Sequence, residues 1–334
     1  MFAALPPVFA GLSMEHSQEA AGFIEQVDVP PGEAIMIEGE GDATLAFIVS
    51  GSAEIWMQGV KLGNAGVHDM LGEMELFYPT PRLCSVTASN QVTLQILRVE
   101  HFEALCQRGN SLVFQIERAA LRRLSDRIAR LNEEIGGRVQ GVPIDLGEPD
   151  AGFLARLSST FRRKELGPDV DVVRTLDGSE MFGKIPPHLL SEIAKRCEVV
   201  RLGANDEVCG QGDEAEAMWL VASGEVEVVL MKDDEVGEPV GRLTSGHAFG
   251  ESGLALGSLR SARCITRAPT TLLELSRDDF MEFYALDDPL GSAFRQGVLR
   301  NLVVQLAHIS RRYVAMSPHL SGPQHTPLGS DNWR

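Results

Sequence analysis

Two stretches of this sequence closely match one another. The first is LGEMEL at residues 71–76 followed by PRLCSV at residues 81–86, and the second is FGESGL at residues 249–254 followed by LRSARC at residues 259–264. In both stretches a Gly-Glu pair precedes an arginine, and the glutamate stands nine residues before that arginine. Since the two stretches lie 178 residues apart, they predict an internal repeat.

The repeat extends to the N-terminal side of these stretches. A Ser-Gly pair occurs at Ser50-Gly51 and again at Ser223-Gly224, and runs of apolar and β-branched residues flank both pairs. Such runs predict short strands joined by tight turns, at 46–49, 53–56, 218–221 and 226–229. Many short strands at this spacing predict a mainly β fold with flanking helices, made of two β jelly-roll barrels in tandem, each followed by a closing helix.

Helices are predicted at both ends of each repeat. Short ones are expected at 13–24 and 187–197, and longer closing helices are expected where apolar residues recur at steps of three and four, at 121–135 and 299–313. This spacing is also that of coiled coils. Two interpretations stay open at this point: each stripe packs on its own barrel, or the closing helices form the seam of a homodimer. Gly136-Gly137 is expected to end the first closing helix.

These features divide the sequence into four segments. They are a first domain at 1–135, a linker at 136–178 with a short amphipathic piece at 153–161, a second domain at 179–315, and a disordered tail at 316–334. The first repeat begins almost at residue 1, and about 20 residues follow the last predicted helix.

Composition and charge exclude several classes of function. The formal net charge of −17 disfavours binding to nucleic acids and to anionic membranes, and no apolar run approaches the ~18 residues of a membrane span. The five cysteines are scattered without a CxxC pair, which argues against zinc, iron–sulfur and disulfide frameworks and favours the reducing cytoplasm. No catalytic motif is present, so we do not expect an enzyme.

Arg82 is conspicuous because the N-terminal part of the chain is poor in cations. Residues 1–113 hold four basic and fourteen acidic side chains. An arginine flanked by apolar residues needs an anionic partner, and a guanidinium matches phosphate as a two-pronged donor. A short helix after the Gly-Glu pair would direct N–H groups at the same phosphate, and the glutamate could accept a sugar hydroxyl. The stretch therefore predicts a site for a ribose that carries a phosphate.

Both stretches resemble the phosphate-binding cassette of the cyclic nucleotide-binding domain, a family found in kinase regulatory subunits and in the catabolite activator protein. The resemblance implies that Glu73 and Glu251 accept the ribose 2′-hydroxyl and that Arg82 and Arg260 bind the phosphate. Cyclic AMP or cyclic GMP is the implied ligand, without a metal or another cofactor. The implied contacts are Gly72, Glu73, Glu75, Arg82 and Leu83 in site 1, and Gly250, Glu251, Gly253, Arg260, Ser261 and Arg263 in site 2.

The two sites depart from the family pattern to different extents. Site 1 has Glu75 where a small residue is usual, and this carboxylate would repel a phosphate if it points inward. Leu83 also crowds site 1. Site 2 keeps Gly253 but carries Arg263 where threonine is usual, and Arg263 either contacts a purine or points into solvent. In a degenerate cassette, by contrast, the glutamate and the arginine would simply pair with each other.

The resemblance implies a non-enzymatic sensor of cyclic nucleotides. Binding would rearrange the closing helices and pass the signal to an effector protein. This mechanism is allosteric only if the ligand binds one of two helix positions more tightly than the other. Two alternatives stay open. The chain could be a scaffold in which one or both sites are degenerate, or a receptor for a different cyclic nucleotide or dinucleotide.

Overall fold

The structure is a computed structural model, and it describes residues 7–41, 43–138, 142–143, 170–232 and 236–317. The predicted amphipathic piece at 153–161 and the predicted tail after residue 317 lie outside these described residues.

The chain divides into two compact units, each of which contains residues from both repeats. Unit 1 runs from the N-terminus to Ala120 and includes the chain from Val303 onward, whereas unit 2 is Leu121–Leu302. The predicted domains at 1–135 and 179–315 are contiguous in sequence, and their boundaries stay a prediction.

Unit 1 contains two four-stranded antiparallel sheets with the strand orders β1-β8-β3-β6 and β2-β7-β4-β5. Apolar side chains from both sheets meet in one core, because alternate residues of strands such as β4 are buried. The strands are β1 (Ile24–Val29), β2 (Ala34–Met36), β3 (Thr44–Ser50), β4 (Ala53–Met57), β5 (Val60–Ala65), β6 (Met70–Leu71), β7 (Ser85–Ala88) and β8 (Val92–Arg98).

Unit 2 repeats this arrangement with the orders β10-β17-β12-β15 and β11-β16-β13-β14-β9. Its strands are β9 (Val142–Pro143), β10 (Glu198–Leu202), β11 (Glu207–Cys209), β12 (Ala217–Ser223), β13 (Glu225–Met231), β14 (Val236–Thr244), β15 (Ala248–Phe249), β16 (Arg263–Thr266) and β17 (Thr270–Ser276). The strands predicted on both sides of the Ser-Gly pairs are confirmed, and so is the predicted fold class of two tandem β barrels with helices.

The helices are α1 (Met14–Ala21), α2 (Glu73–Phe77), α3 (Val99–Gln107), α4 (Ser111–Arg138), α5 (Val172–Asp177), α6 (Pro187–Ala194), α7 (Glu251–Leu256), α8 (Arg277–Ala285) and α9 (Pro289–Met316). The first of these begins where the Ser13 hydroxyl accepts a hydrogen bond from the His16 N–H, at 3.1 Å. It ends before its predicted limit, because β1 already begins at Ile24. No helix in the described ranges has both the length and the apolar character needed to cross a bilayer.

The end predicted for the first closing helix at Gly136-Gly137 is wrong. α4 continues through both glycines to Arg138. A glycine inside a helix costs only about 1 kcal/mol relative to alanine, and tertiary contacts can outweigh that cost. Here the neighbouring Ile135 is buried, and Arg138 pairs with Glu134 one turn earlier at 3.8 Å.

The apolar stripes of the closing helices are covered within a single chain. The stripe residues that are buried are Leu121, Leu124, Ile128, Leu131 and Ile135 in α4, and Leu299, Leu302, Leu306 and Tyr313 in α9. Packing inside the chain therefore accounts for both stripes. A homodimer through the closing helices stays a prediction.

Candidate functional site

Each of the two cassettes begins with a glycine that lets an arginine approach the backbone. Gly72 and Gly250 precede α2 and α7 in the left-handed conformation, with φ of 84° and 90°. A Cβ on Gly72 would lie 2.2 Å from the Thr44 carbonyl oxygen, and a Cβ on Gly250 would lie 2.8 Å from Nη1 of Arg260. Any side chain would therefore be strained in its backbone and would displace its neighbours.

The backbone of each arginine is fixed in the same way. The turn at 39–40 donates to the Arg82 carbonyl oxygen at 2.8 Å and accepts from the Arg82 N–H at 2.7 Å. The turn at 212–213 makes the equivalent pair of bonds with Arg260, at 2.9 and 2.8 Å. Since the same pair of backbone hydrogen bonds holds both arginines, the two cassettes share one backbone arrangement and differ in their side chains.

In site 1, the arginine is already paired with a carboxylate. Nη1 of Arg82 donates to Oε2 of Glu75 at 2.7 Å, and Nη2 donates to the Thr44 carbonyl oxygen at 3.0 Å. Both partners of the ion pair are buried, with side-chain exposures of 2% and 7%. Burial raises the pKa of Glu75 although Arg82 lies beside it. The side chain of Glu75 thus points inward and stands next to the predicted phosphate position.

In site 2, the arginine has no such partner. Nη1 of Arg260 donates to the Gly250 carbonyl oxygen at 2.7 Å, and Nη2 donates to the Ala217 carbonyl oxygen at 2.5 Å. Within the described part of the chain no carboxylate pairs with Arg260, and its Nε has no hydrogen-bond partner there. Arg260 is 6% exposed, and its Cζ lies 4.7 Å from the ring centroid of Trp219. A cation–π contact offsets part of the desolvation of this charge, but only an anion would neutralise it.

The residue that makes the difference is the third of each short helix. Gly253 stands in α7 where Glu75 stands in α2. A Cβ on Gly253 would lie 3.9 Å from Nη1 of Arg260 and 3.0 Å from Cβ of Ala215. A side chain at this position therefore begins beside the arginine, and the glycine places none there.

The two predicted ribose-binding glutamates are both buried at the start of their helices. Glu73 is 2% exposed and Glu251 is fully buried. Oε1 of Glu251 accepts a hydrogen bond of 2.7 Å from Nδ2 of Asn301, which lies on α9. The sequence analysis missed Asn301, because it stands 50 residues after Glu251 and belongs to no recognisable motif.

The remaining predicted contacts are distributed unequally. Ser261 lies next to Arg260, and its hydroxyl accepts a hydrogen bond from Nδ2 of Asn132, a residue of α4 in unit 2, at 3.4 Å. Arg263 forms an ion pair with Glu207 across β11 and β16. Its predicted contact with a purine stays a prediction. Leu83 is half-buried. Among the described residues, no group of three potential ligands could hold a metal ion.

Comparison with known proteins agrees with this geometry. A sequence profile of the cyclic nucleotide-binding domain matches residues 26–109 and 199–287, which together make up more than half of the chain. The chain therefore belongs to the cyclic nucleotide-binding domain family, and it contains two such domains in tandem.

The chain spans only part of the length of the relatives that it matches. The cAMP-dependent protein kinase regulatory subunit of Yarrowia lipolytica is 24% identical over 82% of this chain, which spans 57% of that protein. The cGMP-dependent protein kinase egl-4 of Caenorhabditis briggsae is 21% identical over 80% of this chain, which spans 29% of that kinase. Among solved structures, the regulatory subunit of a cAMP-independent protein kinase A from Trypanosoma brucei is 18% identical over 82% of each chain, with a TM-score of 0.32.

Proposed function

We propose that this chain is a non-enzymatic, cytoplasmic sensor that binds one cyclic nucleotide, cyclic AMP or cyclic GMP, in site 2. The observation that carries the proposal is Arg260, a buried cation that pairs with no carboxylate of the described chain. A cyclic phosphate is a singly charged anion that would neutralise it, and Glu251, which opens the helix of the same cassette, would accept the ribose hydroxyl.

We propose that site 1 does not bind a cyclic nucleotide. Glu75 already provides Arg82 with a carboxylate at 2.7 Å, where the phosphate would otherwise lie. An incoming phosphate would have to displace this buried carboxylate or accept its repulsion, and both are costly. The first domain would then act as a scaffold: it would bind the effector protein without binding a nucleotide itself.

Isothermal titration of the nucleotide-free protein with cyclic AMP and then cyclic GMP tests this proposal. The protein is first checked for co-purified nucleotide. We expect saturable binding with a stoichiometry of one per chain, and much weaker binding of adenosine, which has the ribose and base without the phosphate. Binding of two nucleotides per chain would contradict the assignment of site 1. The absence of heat from folded protein with either nucleotide would overturn the sensor function and favour the scaffold or another cyclic nucleotide.

A further inference from the structure

A buried side chain of α9, the closing helix of the second repeat, contacts the predicted ribose-binding glutamate. Asn301 lies on α9 and is 8% exposed. Its Nδ2 donates to Oε1 of Glu251 at 2.7 Å and to the Ala248 carbonyl oxygen at 3.1 Å. Both hydrogens of the amide are therefore used on two acceptors of the same cassette.

These two bonds fix the orientation of the amide. If the amide were rotated by half a turn, its oxygen would face the Glu251 carboxylate and the Ala248 carbonyl, which are both acceptors. The 2.7 Å bond therefore holds the Glu251 side chain in one place, with Oε1 directed at α9.

Hydrogen bonds from a buried arginine hold the start of α9, the helix that carries Asn301. Nη1 of Arg295, on the same helix, donates to the carbonyl oxygens of Leu286 and Tyr284 at 2.5 and 3.2 Å. Arg295 is 1% exposed, so these two hydrogen bonds between the end of α8 and the start of α9 are shielded from water. Asn301 therefore projects from a well-positioned part of the helix.

We infer that Asn301 is a positioning residue for ligand specificity in site 2: it orients the Glu251 carboxylate so that the site selects ligands with a ribose 2′-hydroxyl. This inference rests on the proposed function. It adds a direct connection between sugar recognition and α9, because any shift of the carboxylate toward the ligand is transmitted to Asn301.

The test compares cyclic AMP with 2′-deoxy cyclic AMP, which lacks only the hydroxyl that Glu251 would accept. In the unmodified protein we expect cyclic AMP to bind at least about tenfold more tightly, the range of one hydrogen bond to a charged group. In N301A we expect this ratio to fall to about twofold, while the affinity for the deoxy ligand changes little. The matched control is Q296A, which removes another amide from α9 whose bond to Ser292 stays within the helix.

Each outcome has a distinct meaning. If N301A weakens both ligands equally, Asn301 has only a structural role and the inference is overturned. The same holds if the unmodified protein binds both ligands equally well, although nucleotide binding then stands. If neither of these ligands nor cyclic GMP binds to folded protein, the proposed function itself fails. Should N301A not fold, N301L keeps nearly the same size, removes both donors and adds no charge, and it must show the same loss of discrimination.

Discussion

Sites 1 and 2 share the same backbone arrangement but differ in charge, because only site 1 has a carboxylate beside its arginine. In both, a left-handed glycine and a fixed strand-like segment bring a buried arginine to the end of a short helix. In site 1 the protein supplies the anion itself, as Glu75, whereas in site 2 the matching residue is Gly253 and the arginine rests on Trp219. The comparison teaches that one side chain beside the arginine can decide between a structural ion pair and a ligand site.

The largest effect is expected from removing the arginine of site 1. Arg82→Met would leave the Glu75 carboxylate buried without its cation, which costs about 3–5 kcal/mol of unfolding free energy. Urea denaturation followed by circular dichroism measures this loss. The control is the double variant Arg82→Met/Glu75→Gln, in which no charge is left unpaired and most of the stability should return. An equal loss in Arg260→Met alone would contradict the contrast between the sites, because no carboxylate is stranded there.

Removing the arginine of site 2 should instead affect the ligand. Arg260→Met would lose about 1.5–3 kcal/mol of binding free energy, or roughly 10- to 150-fold in the dissociation constant for cyclic AMP. Titration calorimetry of the folded variant measures the change. Arg82→Met serves as the matched control and should keep the original affinity if it stays folded at the assay temperature. Unchanged affinity in Arg260→Met would place the nucleotide elsewhere.

Converting site 2 into a copy of site 1 should close it. Gly253→Glu would put a carboxylate beside Nη1 of Arg260, and we expect cyclic AMP to bind at least about tenfold more weakly because the charge is already neutralised. Gly253→Gln is the control for size, since it fills the same space without the charge. Equal weakening by both variants would mean that volume, and not charge, separates the two sites.

The converse change should open site 1. Glu75→Ala removes the carboxylate that pairs with Arg82, and a phosphate could then take its place, so the stoichiometry of cyclic AMP binding should rise from one to two per chain. The second event should be the weaker one, because Leu83 still crowds the site where Ser261 stands in site 2. A stoichiometry that stays at one would show that the ion pair is not what excludes the nucleotide.

Much of the fold follows from the sequence, because the repeat places its glycines, short strands and arginines at matching positions. The orientation of Glu75 does not follow, since a carboxylate at that position can point to solvent or to Arg82, and burial decides between them. The partner of Arg263 is Glu207, which lies 56 residues earlier, and only the pairing of β11 with β16 brings the two together. The helix end at Gly136-Gly137 fails for a related reason, because tertiary contacts outweigh a weak local propensity.

Asn301 could not be identified by comparing the two repeats either. The residue that stands 178 positions earlier, in α4, is Arg123, so a comparison of the two repeats does not single out an asparagine. Residues outside the cassettes have to be found by contact, whereas the cassettes themselves can be found by their spacing.

The contact between Arg260 and Trp219 has a spectroscopic consequence. Indole emission responds to a nearby charge, and this indole lies 4.7 Å below the cation that would meet the phosphate. The strand position that pairs with the start of the cassette is Trp219 in the second repeat and Ala46 in the first. A phosphate bound at Arg260 is therefore expected to change the emission of Trp219, whereas the first repeat has no indole at the matching strand position.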